Sequence, residues 1–415
     1  MQSEDLAPED DEKTITVSRS KREPINTKKG KNSPHVVTAE SVQAEEVPTI
    51  PLESLRTLST LEPAVSVRSV EATQSVRLPA PLVVQPSEYR RSLGEWLQVW
   101  WEGIRPGYLP LAIMPVLVGS TLAWTQGVSP VTPFGSFHFF HFIAVLFAVV
   151  ALQVGANLVN DYYDYIKGID TSNPLGPGGL IQQGLIRPTR VLNFGLILLA
   201  LGSLMGALVA LAGGLYVYLF GLIGLLCAYF YSATARSLSS LALGELVSFC
   251  VFGPLLTLGA YMVQTGGFAN RAALVSVILY SLPLGLLATA VVHVNDMRDV
   301  ESDVQARKRT LASVQGLRWG RVEYILLVVG AYAVIVALGL PHGAPHLVLI
   351  TLWTLPILLV AITGVMRADM PASLHGVMRE TLKLVTYFAL LLIAALILSA
   401  LIIVLPHLPS HILPI

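Results

Sequence analysis

The sequence predicts an all-α, multi-pass membrane protein of about nine transmembrane helices, with an internally duplicated four-helix arrangement and a disordered N-terminal tail. Hydrophobic residues make up 53% of the 415 residues and charged residues only 13%, about half the charge of a soluble domain. Nine apolar segments each approach the roughly 20 residues that a helix needs to cross a bilayer. One polar pattern, V-N-D-x-x-D, ends two of these segments.

The first 90 residues are predicted to form the disordered tail. They are rich in Glu, Lys, Ser, Pro and Thr and have few aromatic residues, so they cannot bury enough apolar surface to offset the entropy of ordering. The helical spacing of apolar and Trp residues within 91–104 predicts an amphipathic helix. We expect this helix to lie in the membrane interface, where indole rings prefer to lie. A soluble linker helix is the alternative. The side chains that share one face of this helix are Leu93, Trp96, Leu97, Trp100 and Trp101.

Residues 105–410 are predicted to form the transmembrane domain. Its apolar segments are 105–126, 137–160, 190–212, 214–234, 242–264, 272–295, 322–340, 345–366 and 382–405. If these segments alternate in direction, 14 of the 15 Lys and Arg residues after residue 100 lie on the side of the N-terminus. Because positively charged loops favour the cytoplasm, we expect the N-terminus in the cytoplasm and the C-terminus on the opposite side of the membrane. The expected location is a bacterial cell membrane, with the chain as an integral membrane protein.

The V-N-D-x-x-D pattern occurs at residues 159–164 and again at residues 294–299. We call these stretches, with the acidic residues that directly follow them, the first and second acidic frames. Each frame ends an even-numbered apolar segment, so both are predicted to open on the cytoplasmic face. Their separation by four segments indicates an internal duplication of a four-helix unit.

The acidic frames predict a Mg²⁺ site. Residues three or four apart share one face of a helix, and oxygen ligands without His or Cys favour a hard cation, Mg²⁺ before Ca²⁺. Mg²⁺ uses few carboxylates and fills its other positions with water and substrate phosphate, so the expected ligand carries phosphate, in particular a diphosphate. The candidate metal ligands are Asp161, Asp164, Asp299 and Asp303, with Asp170 and Asp296 as further candidates.

Basic and amide residues near the frames are candidates for binding the substrate. Lys and Arg neutralise phosphate charge, and the Asn residues precede the acids on the same helices. Three candidates have alternatives: Arg105 as an interface anchor, Tyr163 as part of an aromatic belt, and His293 as a hydrogen-bonded core residue. The full set is Arg105, Asn157, Asn160, Tyr163, Lys167, His293, Asn295, Arg298, Lys308 and Arg309. A Gly-rich segment, residues 175–184, is expected to act as a lid.

At these residues the chain resembles the UbiA superfamily of intramembrane prenyltransferases. The matching motifs are "NDYYD", residues 160–164, and "DVESD", residues 299–303. The resemblance extends to the 1,4-dihydroxy-2-naphthoate polyprenyltransferase branch. It is carried there by stretches such as "RPGYLPLAIMPVLVGS" and "GANLVNDYYDYIKGID".

The resemblance implies a function in menaquinone biosynthesis. A polyprenyl group would be transferred from polyprenyl diphosphate to 1,4-dihydroxy-2-naphthoate. The enzyme would hold Mg²⁺ through Asp161, Asp164, Asp299 and Asp303. The isoprenoid tail would lie between helices in the lipid bilayer.

Other functions remain open from the sequence. The alternative acceptors are 4-hydroxybenzoate and homogentisate, and the alternative from a different class is a membrane transporter with an acidic ion site. Transporters, however, place such acids near the middle of the membrane, whereas these acids lie at segment ends. The motif of the CDP-alcohol phosphatidyltransferases is absent from the sequence. No nucleic-acid partner is expected, and the sequence determines neither the prenyl chain length nor the oligomeric state.

Overall fold

The computed structural model describes residues 92–126, 129, 134–135, 137–169, 179–234, 236–268, 270–340 and 345–405. The predicted disordered tail and Asp170 lie outside these residues, and the Gly-rich segment is described only from residue 179. Within the described ranges the chain is helical, with one isolated bridge between Leu241 and Arg309 and no strand. The predicted all-α class is therefore confirmed.

Fourteen α-helices lie within these ranges. In chain order they are α1 (Leu93–Ile104), α2 (Pro110–Thr125), α3 (Phe139–Lys167), α4 (Gly179–Gln182), α5 (Pro188–Gly213), α6 (Leu215–Phe230), α7 (Gly244–Cys250), α8 (Leu256–Thr265), α9 (Arg271–Arg298), α10 (Val300–Gln305), α11 (Leu311–Gln315), α12 (Leu317–Gly339), α13 (Leu355–Arg367) and α14 (Pro371–Val404). Two 3-10 helices, Pro106–Tyr108 and His346–Thr354, and one π-helical turn, Val251–Leu255, complete the helical structure of the described residues.

Each of the nine predicted apolar segments coincides with helical structure. Seven helical stretches in the described residues are long and apolar enough to cross a membrane. The first predicted segment forms the second half of a pair of helices, Leu93–Tyr108 and Pro110–Thr125, that bends by 53°. The fourth segment forms α6, which has only 16 residues, shorter than the roughly 20 that span a bilayer without tilt or thinning.

Helix α1 confirms that residues 93–104 are helical and begins with a capping box. The Ser92 hydroxyl accepts a hydrogen bond from the backbone N–H of Glu95, and the Glu95 carboxylate accepts one from the backbone N–H of Ser92. The predicted apolar face is divided between two environments. Trp96 and Trp100 pack on the domain, whereas the other three apolar side chains of that face are exposed. Its position in the membrane interface stays a prediction.

The second half of the chain packs around α9. Leu287 and Val294 of α9 are fully buried, as are Tyr324 of α12 and Phe388 of α14. The hydroxyl groups of Tyr324 and Thr381 lie 2.6 Å apart and form a buried hydrogen bond between α12 and α14. This packing fixes the C-terminal end of α9, which carries the second acidic frame.

Glycine residues let several helices approach closely. A methyl group at Gly155 of α3 would lie 2.9 Å from the carbonyl oxygen of Gly195 on α5. A methyl group at Gly253, in the π-helical turn, would lie 2.9 Å from the Cα of Gly285 on α9. Small residues at such positions permit the backbone contacts by which transmembrane helices associate.

Substituting Gly119 with Ala is expected to destabilise the contact between α2 and α8. A methyl group there would overlap with the carbonyl oxygen of Thr257, and overpacking of this kind costs about 1–3 kcal/mol. Gly206→Ala is the matched control, because that position has no neighbouring atom within 4 Å. Thermal unfolding in detergent should show a lower Tm for Gly119→Ala and an unchanged or higher Tm for Gly206→Ala. Equal Tm values would contradict the close contact.

Candidate active site

A cavity of about 220 Å³ lies among α2, α3, α6, α7, the π-helical turn and α9. One end of its wall is polar, where α3 carries the first acidic frame. The polar lining there includes Arg105, Gln153, Asn157, Asn160 and Asn295. The remaining wall is mainly apolar, with side chains such as Leu111, Val149 and Phe252. The cavity therefore suits a ligand with a polar head and an apolar tail.

Arg105 holds the first carboxylate of the first frame. Its left-handed backbone conformation, φ 55°, ends α1 and turns the chain toward α2. The guanidinium donates a hydrogen bond to Oδ1 of Asp161, whose side chain is almost completely buried. The other oxygen of Asp161, Oδ2, is buried without a hydrogen-bond partner among the described residues. A buried carboxylate oxygen of this kind can accept a further donor or cation.

The second carboxylate of the first frame is held by an amide. Nδ2 of Asn160 donates to Oδ2 of Asp164 at 2.8 Å and to the hydroxyl oxygen of Ser232 at 2.6 Å. The Lys167 ammonium donates to the carbonyl oxygen of Ser232 at 2.7 Å and lies 6.0 Å from the ring centroid of Tyr163. These contacts tie the segment after α6 to the first frame.

In the second frame, Arg298 forms a bidentate ion pair with the neighbouring Asp299. Its Nε and Nη2 atoms donate to the two oxygens of Asp299 at 2.7 and 2.6 Å. Nη2 also donates to the carbonyl oxygen of the Asn295 side chain at 3.0 Å, and Nη1 lies 3.4 Å from Nδ1 of His375. Because the Arg298 side chain is only 1% exposed, it orients Asp299 and does not line the cavity.

The spacing of the aspartates in the second frame predicted that they would share one face of a single regular helix. The structure differs, because the helix is interrupted within the frame. Helix α9 ends at Arg298 and α10 begins at Val300. The hydrogen bonds nevertheless continue, since the N–H of Asp299 donates to Asn295 and that of Asp303 to Asp299. The side chain of Asp303 therefore lies one turn beyond that of Asp299, on the far side of the break.

Asp303 is completely buried. Its carboxylate oxygens have no hydrogen bond to any described residue, although the Lys308 ammonium lies 3.3 Å from Oδ1 as an ion pair. Burial raises the pKa of Asp303 to about 6, and the neighbouring Lys308 opposes this rise. Burial alone would lower the pKa of Lys308, but the carboxylates of Asp303, Asp164 and Asp296 together raise it.

The two acidic frames meet at this lysine. Lys308 interacts with Asp164 of the first frame as well as with Asp296 and Asp303 of the second. Asp303 also lies close enough to Asp164 to interact with it electrostatically. The structure thus brings the ends of α3 and α9 to one end of the helical domain.

Of the predicted site residues, Arg105, Asn157, Asn160 and Asn295 line the cavity itself. His293, Arg309, Tyr163 and Asp296 do not, and each has other surroundings. The ring nitrogens of His293 bond to Glu245, at 3.1 Å, and to the carbonyl oxygen of Gly320, at 2.9 Å, in a fully buried position. This is the geometry of the core histidine that the sequence left as an alternative. Arg309 is exposed and pairs through its backbone. Tyr163 packs edge-on against Tyr162, and Asp296 is buried near Gly244.

The described residues contain no group of three or more His, Cys, Asp or Glu side chains that could hold a metal ion by themselves. The donor set still fits Mg²⁺, which commonly takes one or two carboxylates and completes its coordination with water and phosphate. Asp161 and Asp303 each present buried oxygens without hydrogen bonds among the described residues. Such oxygens are costly unless a cation or donor binds them.

Sequence reasoning missed three residues that shape the site. Ser232 receives the contacts from the first frame, Gln153 donates to the carbonyl oxygen of Tyr108 at 2.8 Å, and His375 faces Arg298. None of them belongs to a charged motif or a repeated pattern, so no local signal in the sequence could have found them.

Comparison with known proteins identifies the family. The profile of the UbiA prenyltransferase family matches residues 112–378. This chain belongs to the UbiA prenyltransferase family. The match includes both acidic frames, and it confirms the resemblance that the two motifs indicated.

This UbiA family member is similar to two proteins named 1,4-dihydroxy-2-naphthoate octaprenyltransferase. The Bacillus subtilis protein is 27% identical over 315 residues, which cover 76% of this chain and 96% of that protein. The Escherichia coli protein is 30% identical over 310 residues, 73% of this chain and 96% of that protein. A solved UbiA homolog from Aeropyrum pernix has the same fold, with a TM-score of 0.53 at 16% identity, and covers 71% of this chain and 98% of its own.

The UbiA family is one of intramembrane prenyltransferases, so the chain is an enzyme of that type and an integral membrane protein.

Removing the ammonium between the frames is expected to destabilise this prenyltransferase. Lys308→Gln would leave the buried carboxylates of Asp303 and Asp164 without their shared cation, and breaking a buried ion pair costs about 3 kcal/mol or more. Lys383→Gln is the control, because its ion pair with Glu380 is exposed and worth less than about 1 kcal/mol. Thermal unfolding in detergent with EDTA would measure both. A Tm of Lys308→Gln as high as that of the control would contradict the assigned role.

Proposed function

We propose that this prenyltransferase transfers a polyprenyl group from polyprenyl diphosphate to 1,4-dihydroxy-2-naphthoate, with Mg²⁺, in menaquinone biosynthesis. The observation that carries the proposal is the meeting of the two acidic frames around Lys308. Each frame also contributes one amide, Asn160 or Asn295, to the polar lining of a mainly apolar cavity. The named relatives support the choice of acceptor, because both are naphthoate octaprenyltransferases.

Asp161, Asp164, Asp299 and Asp303 are the proposed Mg²⁺ ligands. Bound Mg²⁺ would neutralise charge on the diphosphate and so make it a better leaving group. Arg105 and Arg298 hold Asp161 and Asp299 in place, which fixes the direction of two of the four carboxylates. Asn160 does the same for Asp164.

Lys167 and Lys308 are the proposed partners of the departing diphosphate. Both ammonium groups lie beside Asp164, so a diphosphate that reaches this aspartate comes within range of both. Arg309 is proposed to neutralise diphosphate charge as well, on the basis of its position in the sequence after the second frame. Its side chain is exposed at the surface. Charged donors of this kind stabilise the negative charge that develops as the bond to the diphosphate breaks.

The reaction breaks the bond between the first prenyl carbon and the diphosphate oxygen, and the electron pair leaves with the diphosphate. The resulting allylic cation would lie in the mainly apolar part of the cavity, where little water can capture it. The ring carbon of the acceptor that bears the carboxylate attacks, forming the new carbon–carbon bond. Carbon dioxide then leaves from that carbon, and the electron pair of the broken carbon–carbon bond goes into the ring and restores its aromaticity directly.

We also propose the topology that the sequence predicted, with the N-terminus in the cytoplasm and the C-terminus on the opposite side. The 14-to-1 distribution of Lys and Arg supports it. Polyprenyl diphosphate would then present its diphosphate at the cytoplasmic face, where both acidic frames lie.

Removing one carboxylate from either frame should abolish transfer. Asp164→Asn and Asp299→Asn are expected to lower kcat/KM by about 100-fold or more, since each removes a ligand charge from the diphosphate site. Asp369→Asn is the control, because that carboxylate is 86% exposed in its pair with Arg321. Activity is measured in membranes that contain equal amounts of each inserted protein. Full activity in both test variants would argue against the metal assignment.

The acceptor is tested by product analysis. Purified protein in lipid, with Mg²⁺ and a polyprenyl diphosphate, is offered 1,4-dihydroxy-2-naphthoate, 4-hydroxybenzoate and homogentisate in separate reactions. The naphthoate should give a prenylated product whose mass shows the loss of carbon dioxide, with a kcat/KM well above those of the other two. Preference for another aromatic acid would overturn the acceptor but leave the prenyl transfer intact.

A further inference from the structure

Polar side chains continue along one face of α3 beyond the first acidic frame. Gln153, Asn157 and Asn160 follow one another at steps of four and three residues, which places them on one face of a helix. All three line the cavity. Gln153 comes seven residues before Asn160, or about 10 Å along the helix axis. The polar wall therefore extends well past the place where the frame would hold a diphosphate.

The amide of Gln153 is oriented by the chain that precedes α2. Its Nε2 atom donates a hydrogen bond to the carbonyl oxygen of Tyr108 at 2.8 Å. Because that carbonyl oxygen can only accept, the contact fixes which amide atom is the nitrogen. The other amide atom, Oε1, is buried and has no hydrogen-bond partner in the described part of the chain. The cavity wall thus holds an acceptor that is costly to leave without a donor.

Ser248 of α7 provides a second such group on another wall of the cavity. It is 2% exposed and lines the cavity, and its hydroxyl has no hydrogen bond to any described residue. A serine within a helix often bonds to a carbonyl oxygen one turn earlier, as Ser203 of α5 does with Leu199. Ser248 makes no such bond, so its hydroxyl can donate to a ligand or accept from one.

The two groups lie at different depths. Gly244, at the start of α7, is next to the second frame, since a methyl group there would lie 3.9 Å from Oδ2 of Asp296. Ser248 follows four residues later, about 6 Å along the helix axis. Gln153 is farther from its frame, at about 10 Å from Asn160. A ligand with its reacting carbon near the frames therefore reaches Ser248 first and Gln153 beyond it.

The hydrogen-bonding groups at these depths match the acceptor and not the prenyl donor. An isoprenoid chain offers no hydrogen bond, and the diphosphate is expected among the carboxylates and ammonium groups of the frames. In 1,4-dihydroxy-2-naphthoate, one hydroxyl is next to the reacting carbon and the other lies across the same ring. Two hydroxyls at unequal distances from the reacting carbon fit two polar groups at unequal distances from the frames.

We propose that Ser248 and Gln153 select the acceptor by binding its two ring hydroxyls. Ser248 binds the hydroxyl next to the reacting carbon, and Oε1 of Gln153 accepts a hydrogen bond from the hydroxyl across the ring. The inference rests on the proposed function, which supplies a dihydroxy aromatic acid. An acid that lacks either hydroxyl leaves one buried group without a partner, which is how a hydrogen-bonding site rejects an analogue.

Two analogues separate the hydroxyls. 1-Hydroxy-2-naphthoate lacks the hydroxyl across the ring, and 4-hydroxy-2-naphthoate lacks the one next to the reacting carbon. Isothermal titration calorimetry on the purified full chain, with Mg²⁺ and inorganic pyrophosphate and without oxygen, gives the Kd of each analogue and of 1,4-dihydroxy-2-naphthoate. In the wild-type protein, loss of either hydroxyl should raise the Kd about tenfold, the effect of one hydrogen bond.

Substitutions assign each hydroxyl to its residue. Gln153→Met should abolish the tenfold difference between 1,4-dihydroxy-2-naphthoate and 1-hydroxy-2-naphthoate, and it should keep the difference from 4-hydroxy-2-naphthoate. Ser248→Ala should have the reverse effect. Ser203→Ala is the matched control, because that serine lies outside the cavity lining, and it should keep both differences. If Gln153 served only to hold Tyr108, its substitution would change all three Kd values by one factor and leave their ratios unchanged.

The outcomes separate this assignment from the proposed function. Ratios that stay at the wild-type values in both variants, in a protein that binds the acceptor, would overturn the assignment alone. An exchange of the two effects between Gln153→Met and Ser248→Ala would also overturn it, because the ring would then lie in the opposite direction. A wild-type protein that neither binds 1,4-dihydroxy-2-naphthoate nor prenylates it would overturn the proposed function and the assignment with it.

Discussion

The structure depends on the burial of several carboxylates close together at one end of a helical membrane domain. Charged groups out of water are stable only when cations or hydrogen-bond donors compensate them. Arg105 forms an ion pair with Asp161, and Arg298 forms one with Asp299. Lys308 interacts electrostatically with both Asp303 and Asp164. Arg105, which precedes α2, pairs with Asp161 of α3, and Lys308, which follows α10, interacts with carboxylates of α3 and α10, so these two cations connect α3 to the neighbouring elements. Even so, oxygens of Asp161 and Asp303 remain without hydrogen bonds among the described residues.

This arrangement divides the cavity into two chemical environments. The end near the acidic frames is lined by the Arg105 guanidinium and by amide groups, whereas the rest of the wall is mainly apolar. A prenyl diphosphate has the same division, with a compact charge at one end and a hydrocarbon chain at the other.

The sequence predicted the helices, the family and the convergence of the frames, because these follow from apolar length and from repeated local motifs. It could not predict partners set by tertiary packing. Arg298 was expected to face the diphosphate, yet its guanidinium turns toward Asp299 and His375. His293 stands directly before the second frame, but the fold directs it to Glu245 and away from the cavity. Ser232 carries no charge and belongs to no motif, so its place beside Asn160 appears only once α6 packs against α3.

The central claim is that both frames build one cation and diphosphate site. Electron paramagnetic resonance of Mn²⁺, used in place of Mg²⁺ and titrated with inorganic pyrophosphate, tests it directly on the purified protein. The account predicts a protein-bound Mn²⁺ signal that requires pyrophosphate and is lost in Asp164→Asn and equally in Asp303→Asn. A signal that survives in either variant, or that forms fully without pyrophosphate, would show that the two frames do not share one site.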